Sequence, residues 1–176
     1  MAACGDVRGK RIIDVGCGSG RYAVALAAWG ADVVGIDFAS NMLDLANGLA
    51  EKHGVADRCL FLDADFLAHD FEEPFDIALA IGFFDYVPNP FIFLEKLCKV
   101  TEEMVIVTFP RPGGWRAAQR RLRYRLRGCP IYFHSPQAMT AHFAAAGFHS
   151  WEIRGSWAVA FPKERGSNWL GEYKEK

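Results

Sequence analysis

Ile13-Asp14-Val15-Gly16-Cys17-Gly18-Ser19-Gly20 decides how this chain is read. The short apolar strand Arg11–Val15 runs straight into three glycines at alternate positions. Glycines so placed let the backbone turn tightly and approach a ligand closely, while the helix that follows presents its N-terminal N–H groups. That helix is Arg21–Trp29, where Ala23, Ala25, Ala27 and Ala28 permit close packing on a sheet and Gly30 supplies a stop. A dinucleotide loop of the form G-x-G-x-x-G needs its third glycine at position 21, where this chain has Arg21. The spacing argues against NAD.

Working outward, Asp32–Ile36 is a second strand, and Ser40 reads as the N-cap of a helix over Asn41–His53. Met42, Leu45, Ala46 and Leu49 fall at helical spacing there, and Gly54 closes the element. Strands at Cys59–Leu62, Asp76–Ile81 and Met104–Phe109 and a helix at Phe91–Val100 continue the alternation. Pro110, Pro112, Gly113 and Gly114 then break it. A helix from Ser135-Pro136 to Ala146 precedes the strands His149–Ile153 and Trp157–Phe161, which turn at Gly155. Strand and helix in turn predict an α/β fold with a doubly wound, mostly parallel seven-strand sheet, helices on both faces and a C-terminal antiparallel hairpin. Such sheets bind ligands at the carboxyl ends of their strands. Residues 1–161 read as one domain carrying an insertion at 110–134, and 162–176 as a surface tail.

Composition bounds the class. With 176 residues, 51% of them hydrophobic, the chain builds one sizeable core and not two. No apolar run reaches the roughly 18 residues that a bilayer span needs, and residues 1–10 show no secretory signal, so the expected location is cytoplasmic. The 5 cysteines are scattered without a C-x-x-C pair, so neither a disulfide framework nor a metal site is indicated. Charge is uneven: residues 1–110 hold 8 basic and 17 acidic side chains, whereas Arg111–Arg127 holds 7 arginines and no acid.

The glycine stretch resembles the first motif of the class I S-adenosylmethionine (SAM)-dependent methyltransferases, and Val34-Gly35-Ile36-Asp37-Phe38-Ala39-Ser40-Asn41-Met42-Leu43 is similar to that family's second-strand motif. The resemblance covers residues 11–109 well and 135–161 loosely, and it implies a Rossmann-like methyltransferase fold with SAM as cofactor and S-adenosylhomocysteine (SAH) as product. It implies that Gly16, Cys17 and Gly18 line the methionine part, with Asp14 organising the loop and reaching toward the cofactor's amino group. Asp37 suits the ribose, because one carboxylate accepts hydrogen bonds from both vicinal hydroxyls. Phe38 and Met42 would sandwich the adenine. Asp65, with Asp63 as the alternative, would take the adenine amino group beside Phe66, and Gly82 would offer its carbonyl to the methionine amino group.

Methyl transfer from a sulfonium is an in-line displacement, so alignment of the acceptor is the main requirement, with a general base where the acceptor is protonated. The stretch Phe83-Phe84-Asp85-Tyr86-Val87-Pro88 leaves the fourth strand beside the expected methyl group. Asp85 and Tyr86 are the candidates there, Tyr86 being the one taken as catalytic, and Phe83 and Phe84 form an apolar wall. The family often has a histidine near the position of Asp85. The insertion is the second place, since related small-molecule enzymes vary their substrate covers there. Trp115, Ala118, Leu122 and Leu126 recur at helical spacing with arginines on the wet face, and Tyr132 and His134, which follow, are expected to face the acceptor. His134 is the second catalytic candidate.

The resulting expectation is a SAM-dependent methyltransferase acting on a small-molecule acceptor, one that the arginines would allow to be anionic. A nucleic-acid methyltransferase is the alternative, disfavoured by the net charge and by the lack of an Asn-Pro-Pro-Tyr-like tetrapeptide. A SAM-binding module without chemistry is the third reading. Only about ten residues precede Arg11, where similar methyltransferases carry helices, so either the chain is a truncated product or the insertion and a partner, another subunit or a second copy, are expected to close the site.

Overall fold

A computed structural model describes residues 4–113, 115, 119, 122–124 and 129–164. Seven strands form one sheet: β1 (Arg11–Val15), β2 (Asp32–Asp37), β3 (Cys59–Asp63), β4 (Phe75–Ala80), β5 (Thr101–Thr108), β6 (Ser150–Arg154) and β7 (Trp157–Phe161). Their order is β3-β2-β1-β4-β5-β7-β6. The first five are parallel, and β7 enters antiparallel to β5 and pairs with β6 as the expected hairpin. The order reverses at β1, so the crevice lies where β1, β2 and β4 end together.

Helices α1 (Arg21–Ala28), α2 (Ser40–Lys52), α3 (Phe91–Val100) and α4 (Pro136–Ala145) cover both faces. The alternation of β1 sets the layers. Ile12 packs with Ala23, Val24 and Leu26 of α1, whereas Ile13 and Val15 pack with Leu94 and Leu97 of α3 and Met139 and Phe143 of α4. Both faces are therefore dry, which is why the inner strands read as nearly unbroken apolar runs.

Two expectations need correction. Ser40 does not cap α2: the helix begins at Ser40 itself, Ala39 holds the cap position, and no side chain caps it. Asp37 acts nearby instead, its Oδ1 accepting from the Ala39 N–H at 3.0 Å. β5 also begins at Thr101 rather than Met104, because a register shift between Phe75 and Ile77 keeps the bottom of the β4–β5 pair in step. Ser135 does cap α4, its hydroxyl accepting from the Ala138 N–H at 3.1 Å. Among the described residues no helix is long and apolar enough to cross a membrane.

Candidate functional site

The glycine turn spends its amides inside the protein. Gly16 and Cys17 donate to the Ile36 carbonyl at 2.8 and 3.2 Å, Gly20 donates to Cys17 at 3.0 Å, and Gly18 donates to Asp37 Oδ2 at 2.8 Å. The turn is thus laced to the end of β2, and these four N–H groups are not presented to a ligand. Each glycine has a different neighbour instead. A Cβ on Gly16 would stand 2.7 Å from Phe83 Cδ2, and one on Gly20 would stand 2.8 Å from the Ala46 Cβ of α2. Gly18 faces the Met42 methyl at ordinary contact distance, so its requirement is conformational, a φ of 52°.

Asp37 and Asp14 end up in different surroundings. Asp37 is half-buried, each of its oxygens taking one backbone N–H, from Gly18 and from Ala39. Each oxygen keeps acceptor capacity for the two hydroxyls of a ribose. Asp14 is buried, accepts from the Ala23 N–H in the first turn of α1, and leaves Oδ2 without a partner. Burial, with the Asp37 charge adding to it, pushes its carboxyl up to about 7. Burial likewise raises the Cys17 thiol, whose sulfur would stand 2.9 Å from a Cβ on Gly35. The Cys17 side chain therefore packs against β2, leaving its backbone to the turn.

Beyond the turn lies a cavity of about 390 Å³. Gly16, Asp37, Phe38, Asp65, Phe66 and Tyr86 all line it, and Phe83, Val87 and Phe93 make an aromatic and apolar wall. Phe38 is 83% exposed, an apolar ring standing over the opening with nothing packed on its outer side to bury it. Asp65, and not Asp63, faces the cavity. Its Oδ1 accepts from the Leu67 N–H at 2.9 Å, and Lys96 holds the same loop by donating to the Leu67 and His69 carbonyls at 3.0 and 2.5 Å. Asp14, Cys17, Gly18, Met42, Gly82 and His134 lie outside the lining. Gly82 ends β4 with a φ of 74°, and its N–H donates to Thr108 Oγ1 at 2.7 Å.

Of the two catalytic candidates, Tyr86 is at the cavity and His134 is not. Tyr86 is 50% exposed, and its phenol is raised to about 12 by desolvation, by a hydrogen bond with Tyr124 and by the charges nearby. His134 is buried, with Nε2 at 3.2 Å from the Phe84 carbonyl and 3.1 Å from the Val87 carbonyl. Two carbonyls facing one ring nitrogen require that nitrogen to carry the proton. Expected to face the acceptor, His134 instead faces the backbone of the loop that carries Tyr86. Tyr124, Phe93, Thr108 and Lys96 were not expected at the site. Only Tyr124 stood in a segment already marked as a cover, and the other three read as ordinary parts of buried elements.

The arginine segment is described only in part. Ala118, Leu126 and the arginines at 116, 120, 121, 125 and 127 lie outside the described residues, so the expected amphipathic helix is seen only at Trp115, Gln119 and 122–124, which are helical. Trp115 and Leu122 are 70% and 60% exposed. Arg111 lines a separate hollow with Pro136, Thr140 and Trp151, away from the cavity. Among the described residues no group of histidines, cysteines and carboxylates is placed to hold a metal.

The donor set fits SAM better than a dinucleotide. Asp37 would suit the ribose of either cofactor, but a pyrophosphate at this turn would meet amides already engaged, whereas a cationic sulfonium suits carboxylates and aromatic faces. Known proteins agree with that fit. A family model described as a methyltransferase domain matches residues 6–134. A ubiquinone biosynthesis O-methyltransferase from Azorhizobium caulinodans is 31% identical over 172 residues, covering 88% of this chain and 68% of that protein. A sterol 4-C-methyltransferase from Caenorhabditis elegans is 33% identical over 103 residues, covering 58% of this chain and 28% of its own length. The crystal structure of magnesium protoporphyrin IX methyltransferase from Synechocystis PCC 6803 with bound SAH shares the fold at a TM-score of 0.77 and 19% identity, over 91% of this chain and 77% of that one. Sequence and fold converge: the chain belongs to the methyltransferase domain family and is a Rossmann-like, SAM-dependent methyltransferase.

Proposed function

We propose that the chain moves the methyl group of SAM to a neutral, largely apolar small molecule held against Phe83, Tyr86, Val87 and Phe93. The observation that carries this reading is that one cavity has the carboxylates of Asp37 and Asp65 at one side and the aromatic wall at the other. SAM, when bound, supplies a sulfonium methyl group ready for in-line displacement. In this reading Asp37 orients the ribose, Phe38 and Phe66 flank the adenine, Asp65 meets its amino group, and Gly16 lets the chain pass close to the methionine part. Asp14 supports the turn from beneath.

Alignment does most of the work. Holding two reactants in a productive geometry supplies about 7–11 kcal/mol of a barrier. A phenol raised to about 12 keeps its proton at neutral pH, so Tyr86 serves as a hydrogen-bond donor to the acceptor rather than as a base. Among the described residues no lining side chain is cationic and two are carboxylates, which favours a neutral acceptor at this part of the wall.

Calorimetry with SAM and with SAH tests the cofactor half: one site per chain is expected, and the absence of binding heat overturns it. Incubation with methyl-labelled SAM and a panel of hydroxylated aromatics, aliphatic carboxylates and short RNA tests the acceptor half. Label is expected in the neutral aromatics, and label in carboxylates or RNA alone overturns that part.

A further inference from the structure

We propose that His134 is a positioning residue, a peg that fixes the acceptor-side wall to the returning end of the insertion. The inference rests on the reading that the cavity holds SAM. Three hydrogen bonds join the two segments: the Tyr132 N–H donates to the Asp85 carbonyl at 2.8 Å, and the His134 Nε2–H is shared by the Phe84 and Val87 carbonyls at 3.2 and 3.1 Å. A fourth, from the His134 N–H to the Pro110 carbonyl at 2.9 Å, ties the same residue to the exit of β5. One residue thus bridges the end of β5, the insertion and the loop after β4.

What the peg holds is the surface the cofactor and acceptor would meet. Between the two pegged carbonyls lie Asp85 and the half-exposed Tyr86, and the Tyr86 N–H closes the turn back onto the Phe83 carbonyl at 3.1 Å. Phe84, pegged directly, is fully buried and meets the Phe83 ring edge-on at 5.4 Å; Phe83 in turn meets Phe93 at 5.0 Å and covers Gly16. A shift of the peg would move Phe83 over the glycine turn and Tyr86 over the cavity mouth together. Imidazole suits the task because a rigid ring holds its Nε2–H donor at a fixed reach, and two carbonyls at that nitrogen select the tautomer that carries the proton there.

The test uses the full chain and SAH as probe. His134→Gln places an amide N–H at nearly the reach of Nε2, and is expected to bind SAH within twofold of the wild type. His134→Asn, whose donor falls short, and His134→Leu, which fills the space without a donor, are each expected to weaken binding at least fivefold. Amide hydrogen exchange without ligand is expected to show faster exchange at Tyr86 and Tyr132 in the Asn and Leu variants and wild-type rates in the Gln variant. Wild-type affinity and exchange in His134→Asn or His134→Leu overturn the proposal, and so does a folded His134→Gln that behaves like His134→Leu. Should His134→Leu fail to fold, the comparison of Gln with Asn decides. Absence of SAH binding by the wild type itself brings down the cofactor reading, and the exchange measurements then still decide whether His134 fastens the two segments.

Discussion

At the β1–α1 junction Asp14 lies buried against the first turn of α1 with one oxygen unpartnered, whereas at the neighbouring β2–α2 junction Asp37 stands half-buried with one backbone N–H on each oxygen. Both aspartates end or nearly end a parallel strand, and both serve helices that have no side-chain cap of their own. The difference lies in how far along its strand each one stands: the register pairs Asp14 with Gly35, so Asp14 and Asp37 leave the same face of the sheet, Asp37 two residues nearer the carboxyl ends. Asp14 follows Ile12 onto the dry α1 face, so its carboxyl is raised to about 7 and its contribution is to the turn. Asp37 sits one step past the buried part of β2, at the cavity, where its remaining lone pairs are open to a ligand. One residue type therefore yields a scaffold group and a recognition group, separated by two residues of advance along neighbouring strands.

The largest expected effect tests the recognition role. Asp37→Ala removes the acceptors for two ribose hydroxyls and unties Gly18 from β2, and hydrogen bonds to a charged group contribute about 1.5–3 kcal/mol each. SAH affinity measured by calorimetry is expected to fall at least about 100-fold, corresponding to roughly 3 kcal/mol. An unchanged affinity in a folded variant would remove Asp37 from the cofactor site and leave the comparison without its second half.

Next comes the packing that sets the two junctions side by side. Gly20 has a φ of 73°, and a Cβ there would meet Ala46 Cβ at 2.8 Å and the Ala46 backbone at 3.1 Å, with the Phe61 ring at 3.1 Å. The left-handed conformation costs an L-residue about 1–2 kcal/mol and overpacking typically about 1–3 kcal/mol. Gly20→Ala is expected to lose about 3 kcal/mol in a urea titration. Gly54→Ala is the control, with a φ of 67° and open space around it, and is expected to lose only the conformational part.

The scaffold role of Asp14 carries a pH signature. A folded-state value of about 7 against an ordinary 3.8 means that, between those limits, the folded chain keeps a proton that the unfolded chain has released. Stability therefore falls as pH rises from about 4 to about 7 and is level above that window. Asp14→Asn keeps an acceptor for the Ala23 N–H and removes the buried charge. Its net gain at pH 8 is expected to be about 2 kcal/mol, since the new amide leaves a donor unpaired. Melting midpoints followed from pH 4.5 to 8 should decline for the wild type and decline less for the variant. Parallel curves would show that Asp14 does not titrate in this window.

Much of this was legible in the sequence because it rests on short-range periodicity. Glycine spacing and strand–helix alternation located all seven strands and the hairpin, since a two-faced parallel sheet forces apolar runs of strand length. Asp37 and Asp65 were legible because they follow strand ends. The burial of the Asp14 carboxyl, the inward turn of the loop amides and the role of His134 were not, because each depends on a partner in another element: Ala23, Ile36 and the 84–87 turn. His134 reads as a lone polar residue after an insertion, and nothing within its own segment marks its ring as a donor to a loop nearly fifty residues earlier. Tyr124 was missed for the same reason, its meaning lying in Tyr86.

The smallest effect separates caps read from sequence from caps made by the fold. Ser40 and Ser135 look alike in sequence, each standing just before a helix pattern, and an N-cap serine replaced by alanine typically costs about 1 kcal/mol. Ser135 makes its bond, to the Ala138 N–H at 3.1 Å, so Ser135→Ala is expected to lose about that amount. Ser40 makes no cap bond, and Asp37 secures the chain entering α2 from the strand side. Ser40→Ala is therefore expected to change stability by less than about 0.3 kcal/mol, serine being a weaker helix former than alanine in any case. Equal losses for the two serines would mean that α2 depends on its own first residue, and that Asp37 is free of the structural task that now sets it beside Asp14.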